Sequence, residues 1–173
     1  ALQALGANIE DGVVRDFGDP QGELEAARSK SVLADLSHLG VLDFVGEDSE
    51  AFLHAQLSCD VHSIAADSCS FGSYCTAKGR MLASFLLWRA GGGFRMALSR
   101  GIVAQIQKRL RMYVLRSKVN ITDASDALVL LGVSGADSPR ALLPVFSDIP
   151  MQPYDARHFG ERGSLMSVPG TRY

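Results

Sequence analysis

The stretch Tyr74-Cys75-Thr76-Ala77-Lys78-Gly79-Arg80-Met81-Leu82-Ala83-Ser84-Phe85 joins a short strand-forming run to a long, almost wholly apolar one through a tight basic turn. Phe71 to Thr76 and Met81 to Arg89 read as the two arms of an antiparallel hairpin, since aromatic and apolar runs bounded by Gly and charged residues suit a pleated, half-buried chain. The turn itself is where a ligand can sit. Lys78 and Arg80 flank Gly79, and this trio can offer an anion two cations and open backbone N–H groups, because Gly admits close backbone approach. Carboxylate or phosphate would suit equally. On spacing alone, however, a solvent-exposed hairpin turn is the plainer reading, because charges are common in loops.

Working outward, Gly91-Gly92-Gly93 turns the long arm into Phe94 to Ser99, where Phe94, Met96 and Leu98 fall on one face. Upstream, Val41 to Val45 reads as a strand ended by Gly46. Asp48-Ser49 can then cap a helix carrying Ala51, Phe52, Ala55 and Gln56. Downstream, Ile102, Val103, Ile106, Leu110, Tyr113 and Val114 recur at three- and four-residue spacing, which predicts a helix of about four turns with one apolar stripe. Lys118 to Thr122 alternates as a half-buried strand, and Ala127 to Val133 is apolar throughout, as a strand covered on both faces would be. Pro139 opens a short helix through Leu143. The tail from Tyr154 to Tyr173 reads as two short strands around Gly160 to Gly163.

This order, β-α-β-β-β-α-β-β-α-β-β, does not alternate one strand with one helix as a doubly wound parallel sheet would. The fold class is α+β with mostly antiparallel strands and interspersed helices. Val41 to Val119 and the chain from Ala127 onward both begin with strand then helix, a hint of a duplicated βα-containing unit. Residues 1–22 read as a loose leading segment, with a turn at Gly18-Asp19-Pro20 and a helix over Gly22 to Lys30. Residues 23–173 form the domain.

The 173 residues include 17 basic and 19 acidic side chains, a net charge of -2, so overall charge advertises neither a nucleic acid nor a membrane partner. Three cysteines, Cys59, Cys69 and Cys75, without a C-x-x-C pair fit neither a disulfide framework nor a zinc site, which points to a reducing cytoplasm. The longest apolar run, Met81 to Trp88, is too short to span a bilayer. His38, His54, His62 and His158 lack ligand spacing, and Asp35, Ser37 and His38 stand too close in sequence to be presumed a catalytic triad. No metal ligand and no catalytic residue is assigned.

Arg95, Arg100, Lys108, Arg109, Arg111, Arg116 and Lys118 lie in a stretch free of acidic residues up to Thr122. It can guide a polyanion, such as a polyglutamate tail or an RNA backbone, or be a solvated face balanced by acids elsewhere. Tyr113 and Trp88 can stack on a flat ring, though Trp88, inside its apolar strand, suits the core. Cys75 next to the basic turn can become reactive or remain an inert, partly buried thiol.

The basic turn, together with Asp35-Leu36-Ser37-His38-Leu39-Gly40, the stretch from Val45 to Val61 and Tyr113-Val114-Leu115-Arg116-Ser117-Lys118-Val119, resembles the folate-binding family of the glycine-cleavage T protein, and within it the YgfZ type. The resemblance runs from about Glu23 to Gly135. The T-protein loop has an Asn, two variable positions, two glycines, two variable positions and two aspartates. Here Thr76 stands for the Asn, Arg80 for the second Gly, and Ala83 and Ser84 for the aspartates. Acid-base help is typically worth ~10²- to 10⁴-fold, so these replacements argue against aminomethyl transfer. The YgfZ signature Lys-Gly-Cys-Tyr-x-Gly-Gln-Glu is absent from the sequence, and the chain is expected to be an N-terminal part of a longer protein, incomplete at its C-terminal end. The resemblance implies a T-protein-like fold and tetrahydrofolate bound against Thr76, Lys78, Gly79, Arg80, Tyr113 and Arg116, with Arg80 and Arg116 as the anchors. It further implies iron-sulfur proteins as partners, in cluster assembly or maintenance with an indirect effect on tRNA modification. A T-protein-like aminomethyltransferase and an RNA-binding module are the alternatives.

Overall fold

The computed structural model describes residues 2–11, 13–160 and 163–169. The chain forms two compact units. The first comprises residues 1–38, 129–149 and 169–173; the second comprises residues 39–128 and 150–168.

In the first unit a 3-10 turn, Leu2–Leu5, precedes strands β1 (Asn8–Glu10) and β2 (Val13–Asp16), which pair antiparallel. Residues read from sequence as a loose leading segment are therefore hydrogen-bonded structure. Strands of three and four residues are too short to show an alternation, and the ladder is pinned by the side chains of Asn8 and Asp16. Helix α1 (Pro20–Ser29) starts where Asp19 accepts the Gly22 N–H at 3.0 Å, with Pro20 in the first turn. Strand β3 (Val32–Asp35) pairs antiparallel with a later strand, β9 (Leu131–Ser134), and helix α4 (Ser138–Leu142) follows β9. The sequence expectation of a strand over Ala127 to Val133 buried on both faces is overturned. Val129 is 83% exposed and Leu131 52%, because β9 has β3 as its one ladder partner and a two-stranded sheet cannot bury both faces.

The second unit is built on a five-stranded antiparallel sheet of β4 (Leu39–Val45), β5 (Cys69–Cys75), β6 (Met81–Ala90), β7 (Gly93–Ser99) and β8 (Asn120–Asp123), in the order β5-β6-β7-β4-β8. Register aligns apolar residues in rows across the strands. Ile121, Phe44 and Phe94 make one row, Leu42, Met96 and Leu87 a second, and Leu98 with Phe85 a third. All are buried, and helices α2 (Ser49–Gln56) and α3 (Val103–Arg111) cover that face with Phe52, Leu53, Val103, Ile106 and Leu110. The third row ends on β5 at Gly72, where an added Cβ would lie 2.6 Å from the Phe85 ring. Strands β10 (Ala156–His158) and β11 (Ser164–Met166) pair antiparallel in this unit, as expected of the tail, of which residues 161, 162 and 170–173 lie outside the described residues.

From β4 onward the element order is the one read from sequence. Two local readings change. The Asp48 carboxylate leaves the α2 N-terminus uncapped and accepts the Lys118 N–H at 2.7 Å instead, tying the start of α2 to the approach to β8. And α3 stops at Arg111 rather than continuing to Val114. The Tyr113 and Val114 N–H groups turn back to Leu110 and Arg111 in i to i-3 bonds, and Leu115 follows at φ +43°.

Candidate functional site

The β5–β6 turn is closed on Thr76. The Thr76 N–H donates to the Arg80 carbonyl at 2.9 Å, the Gly79 N–H to the Thr76 carbonyl at 2.8 Å, and the Arg80 N–H to Thr76 Oγ1 at 3.1 Å. The expectation that this turn presents open N–H groups to an anion is therefore overturned for Gly79 and Arg80, whose donors are consumed inside the turn. Gly79 is required for its backbone conformation, φ +78°, and not for space, since nothing lies within 4 Å of a Cβ built there. Lys78, Gly79 and Arg80 are exposed at the tip.

Beside this turn lies an open cleft of about 380 Å³, at the small end of the ~300–1,000 Å³ range of ligand pockets. The end of β5 forms one wall, with Ser73, Tyr74, Cys75 and Thr76; the end of α2 and the residues after it, Ala55 to Ser58, form a second; Arg109 and Tyr113 form a third. The walls are tied together. Leu57 bridges to Tyr74, the Ser58 N–H donates to the Ser73 carbonyl at 3.0 Å, and Ser58 Oγ accepts the Ser73 N–H at 2.8 Å and lies 3.0 Å from Ser73 Oγ. Cys75 Sγ extends this chain of polar atoms, 3.5 Å from Ser73 Oγ. Tyr74 is buried, which pushes its phenol up, while the hydrogen-bonding Arg109 guanidinium pulls the other way. The cleft thus combines hydroxyls, an amide, a thiol, aromatic surface and a guanidinium, and among the described residues no carboxylate lines it.

Of the residues expected to hold a ligand, Thr76 and Tyr113 line the cleft; Lys78, Gly79, Arg80 and Arg116 do not. Tyr113 reaches it because α3 ends early. The helical spacing puts Tyr113 on the buried stripe with Ile106 and Leu110, yet it is 44% exposed once the backbone tightens at Arg111. Sequence reasoning placed Arg109 in the basic stretch but not among the residues expected to hold the ligand, although four-residue spacing from Tyr113 puts the two on one face of a continuous helix. Gln56 and Ser58 were missed as cleft residues because α2 and β5 are brought together only by tertiary pairing.

The acid-free basic stretch is neutralised in part. Arg95 pairs with Asp43 at 2.8 Å, Arg100 with Asp126 and Lys118 with Glu47, while Arg111 donates to the Ile121 carbonyl at 2.6 Å. Trp88 is buried, as its strand implies. His54 and His62 stack with ring centroids 4.0 Å apart, His54 near Asp60 and His62 against Glu50, which also binds Arg89 at 2.8 Å. Among the described residues no group of three or more His, Cys, Asp and Glu is placed to hold a metal ion, and no helix is long and apolar enough to cross a membrane.

A family model described as the GCVT N-terminal domain matches residues 16–164. This chain belongs to that family. Its GCVT N-terminal domain is similar to proteins named tRNA-modifying protein YgfZ: 35% identical over 107 residues to that of Vibrio vulnificus (62% of this chain, 32% of the relative) and 30% over 155 residues to that of Sodalis glossinidius (89% and 47%). The Escherichia coli K12 protein of the same name is 33% identical over 131 residues, 76% of this chain and 40% of the relative. The GCVT domain chain spans less than half the length of each. In structure it resembles the glycine cleavage system aminomethyltransferase T of Bartonella henselae, with a TM-score of 0.70 and 17% identity over 82% of this chain and 40% of the other, a likeness of fold. The expected α+β, T-protein-like architecture and the YgfZ-type kinship both hold.

Proposed function

We propose that the chain is the folate-binding portion of a YgfZ-type protein, acting in the cytoplasm in iron-sulfur cluster assembly or maintenance and, through client iron-sulfur proteins, in tRNA modification. The observation that carries this reading is the cleft beside the β5–β6 turn. Its lining offers a flat ring in Tyr113, hydroxyls at Ser58, Ser73 and Thr76, and a guanidinium in Arg109. Those donors and acceptors fit a tetrahydrofolate, whose heterocycle takes ring contact and polar edges and whose glutamate carboxylates take cations. Lys78 and Arg80 at the exposed tip, and Arg116, would meet the outer carboxylates.

Binding without aminomethyl transfer is supported by the same lining. Ala83, at one of the positions where the T-protein motif has aspartates, is buried, and among the described residues no carboxylate lines the cleft to move a proton. An RNA-binding role is weakened by the pairing of Arg95, Arg100 and Lys118, three cations of the basic stretch, each with an acid. Calorimetric titration of wild type and Tyr113→Ala with tetrahydrofolate, under reducing conditions at low salt, tests the reading. Saturable heat that weakens in Tyr113→Ala is expected. No heat with tetrahydrofolate alongside salt-sensitive heat with a short RNA would overturn it.

A further inference from the structure

Among the described residues Arg109 is the one charged side chain lining the cleft. Elsewhere in this unit Arg89, Arg95, Arg100 and Lys118 each have a carboxylate partner. Arg109 has none among the described residues. Its Nε lies out of reach of solvent and without an acceptor, and its polar neighbour is the buried Tyr74 hydroxyl, which is neutral. A guanidinium carries five donors and a permanent charge, and leaving the charge without a counter-ion and the Nε donor unmatched in a half-buried place is unfavourable. The side chain is held there by its helix, since Ile106 and Leu110 on either side of it in sequence are locked in the core.

We infer that Arg109 is the anion anchor of the cleft, and that it selects ligands carrying a carboxylate on a flat aromatic system over neutral heterocycles. The aromatic part belongs with Tyr113, which lines the same cleft just past the end of α3 and is 44% exposed. A planar guanidinium suits a carboxylate because it can donate two parallel hydrogen bonds, which a lysine at the exposed turn cannot. The inference deepens the folate reading and rests on it for the choice of probes, but the anchor itself is separable from that reading.

The test uses the wild-type chain and two variants, with p-aminobenzoylglutamate, tetrahydrofolate and a tetrahydropterin lacking the glutamate as probes. On the wild type, the Arg109 Nε–H resonance is expected to shift on titration with p-aminobenzoylglutamate or tetrahydrofolate. Arg109→Met is expected to lower affinity for the carboxylate probes by about tenfold or more, with Arg109→Lys in between, and to leave tetrahydropterin affinity unchanged. Tetrahydrofolate bound equally well by Arg109→Met and wild type would overturn the inference while the folate reading stands. p-Aminobenzoylglutamate held through Arg109 without any tetrahydrofolate binding would support the inference and overturn the folate reading. An Nε–H resonance unmoved by either carboxylate probe would overturn the inference irrespective of how the variants fold.

Discussion

Replacing Gly79 isolates the energy of a backbone conformation from every contact. A Cβ at this position meets nothing within 4 Å, so Gly79→Ala changes only the cost of holding φ at +78°. For an L-residue the left-handed region costs roughly 1–2 kcal/mol. Restricting the unfolded chain returns about 0.4–1 kcal/mol of that. The net destabilisation is about 1 kcal/mol, or about fivefold in the unfolding equilibrium, and about 2–4 °C in Tm for a chain of this size class. Gly79→Asn should lose less, because Asn enters the left-handed region more readily. Urea unfolding followed by fluorescence of Trp88 is the assay. Trp88 is the sole tryptophan, buried in β6 opposite Cys69 of β5, so it reports on the hairpin that carries the turn. A Gly79→Ala variant as stable as wild type, or an Asn variant less stable than Ala, would refute the assignment of this turn's geometry.

Three further outcomes are expected. Leu53→Ala, which empties a fully buried site where α2 meets the sheet, should cost about 2–5 kcal/mol, and a urea midpoint within error of wild type would contradict the packing. The carboxyl of Glu50 is held below its ordinary value of 4.5 by its hydrogen bond to His62 and then by Arg89. A depressed pKa gives stability that is present above 4.5 and lost as pH falls through the folded value, so the stability gap between wild type and Glu50→Gln should narrow from pH 7 toward pH 4. An equal gap at both pH values would show that the ion pair contributes nothing. Burial pushes the Cys69 thiol up to about 11. Iodoacetamide at pH 8 should therefore leave Cys69 unlabelled in the folded protein and label it in urea, as read by mass spectrometry, and equal rates in the two states would place Cys69 outside the core.

The elements legible in the sequence are those whose burial follows a period. Phe94, Met96 and Leu98 alternate and lie buried on one face of β7, and the stripe of Val103, Ile106 and Leu110 faces the sheet. The motif at residues 74–85 announced its hairpin because Gly79 interrupts two apolar runs, and the same residues carried the family resemblance. Where the period failed, the cause was local. Strands β1, β2 and β3 are three or four residues long, and the apolar run before β9 had no second partner strand to bury it.

The candidate site divides along the same line. Sequence by itself determined that a basic turn sits between two strands, that its neighbour positions Ala83 and Ser84 hold no carboxylate, and that the chain is of the T-protein type. Those properties are local in residues or in order. Tertiary structure alone decided which cations are paired and which line the cleft. Lys78, Arg80 and Arg116 remain at the surface, Arg95, Arg100 and Lys118 find acids far along the chain, and Arg109 is left without a carboxylate partner among the described residues, beside neutral groups from α2 and β5. Which charge is neutralised depends on partners far along the chain, 52 residues apart for Arg95 and Asp43 and more for Lys118 and Glu47, and no spacing rule along the chain records that proximity.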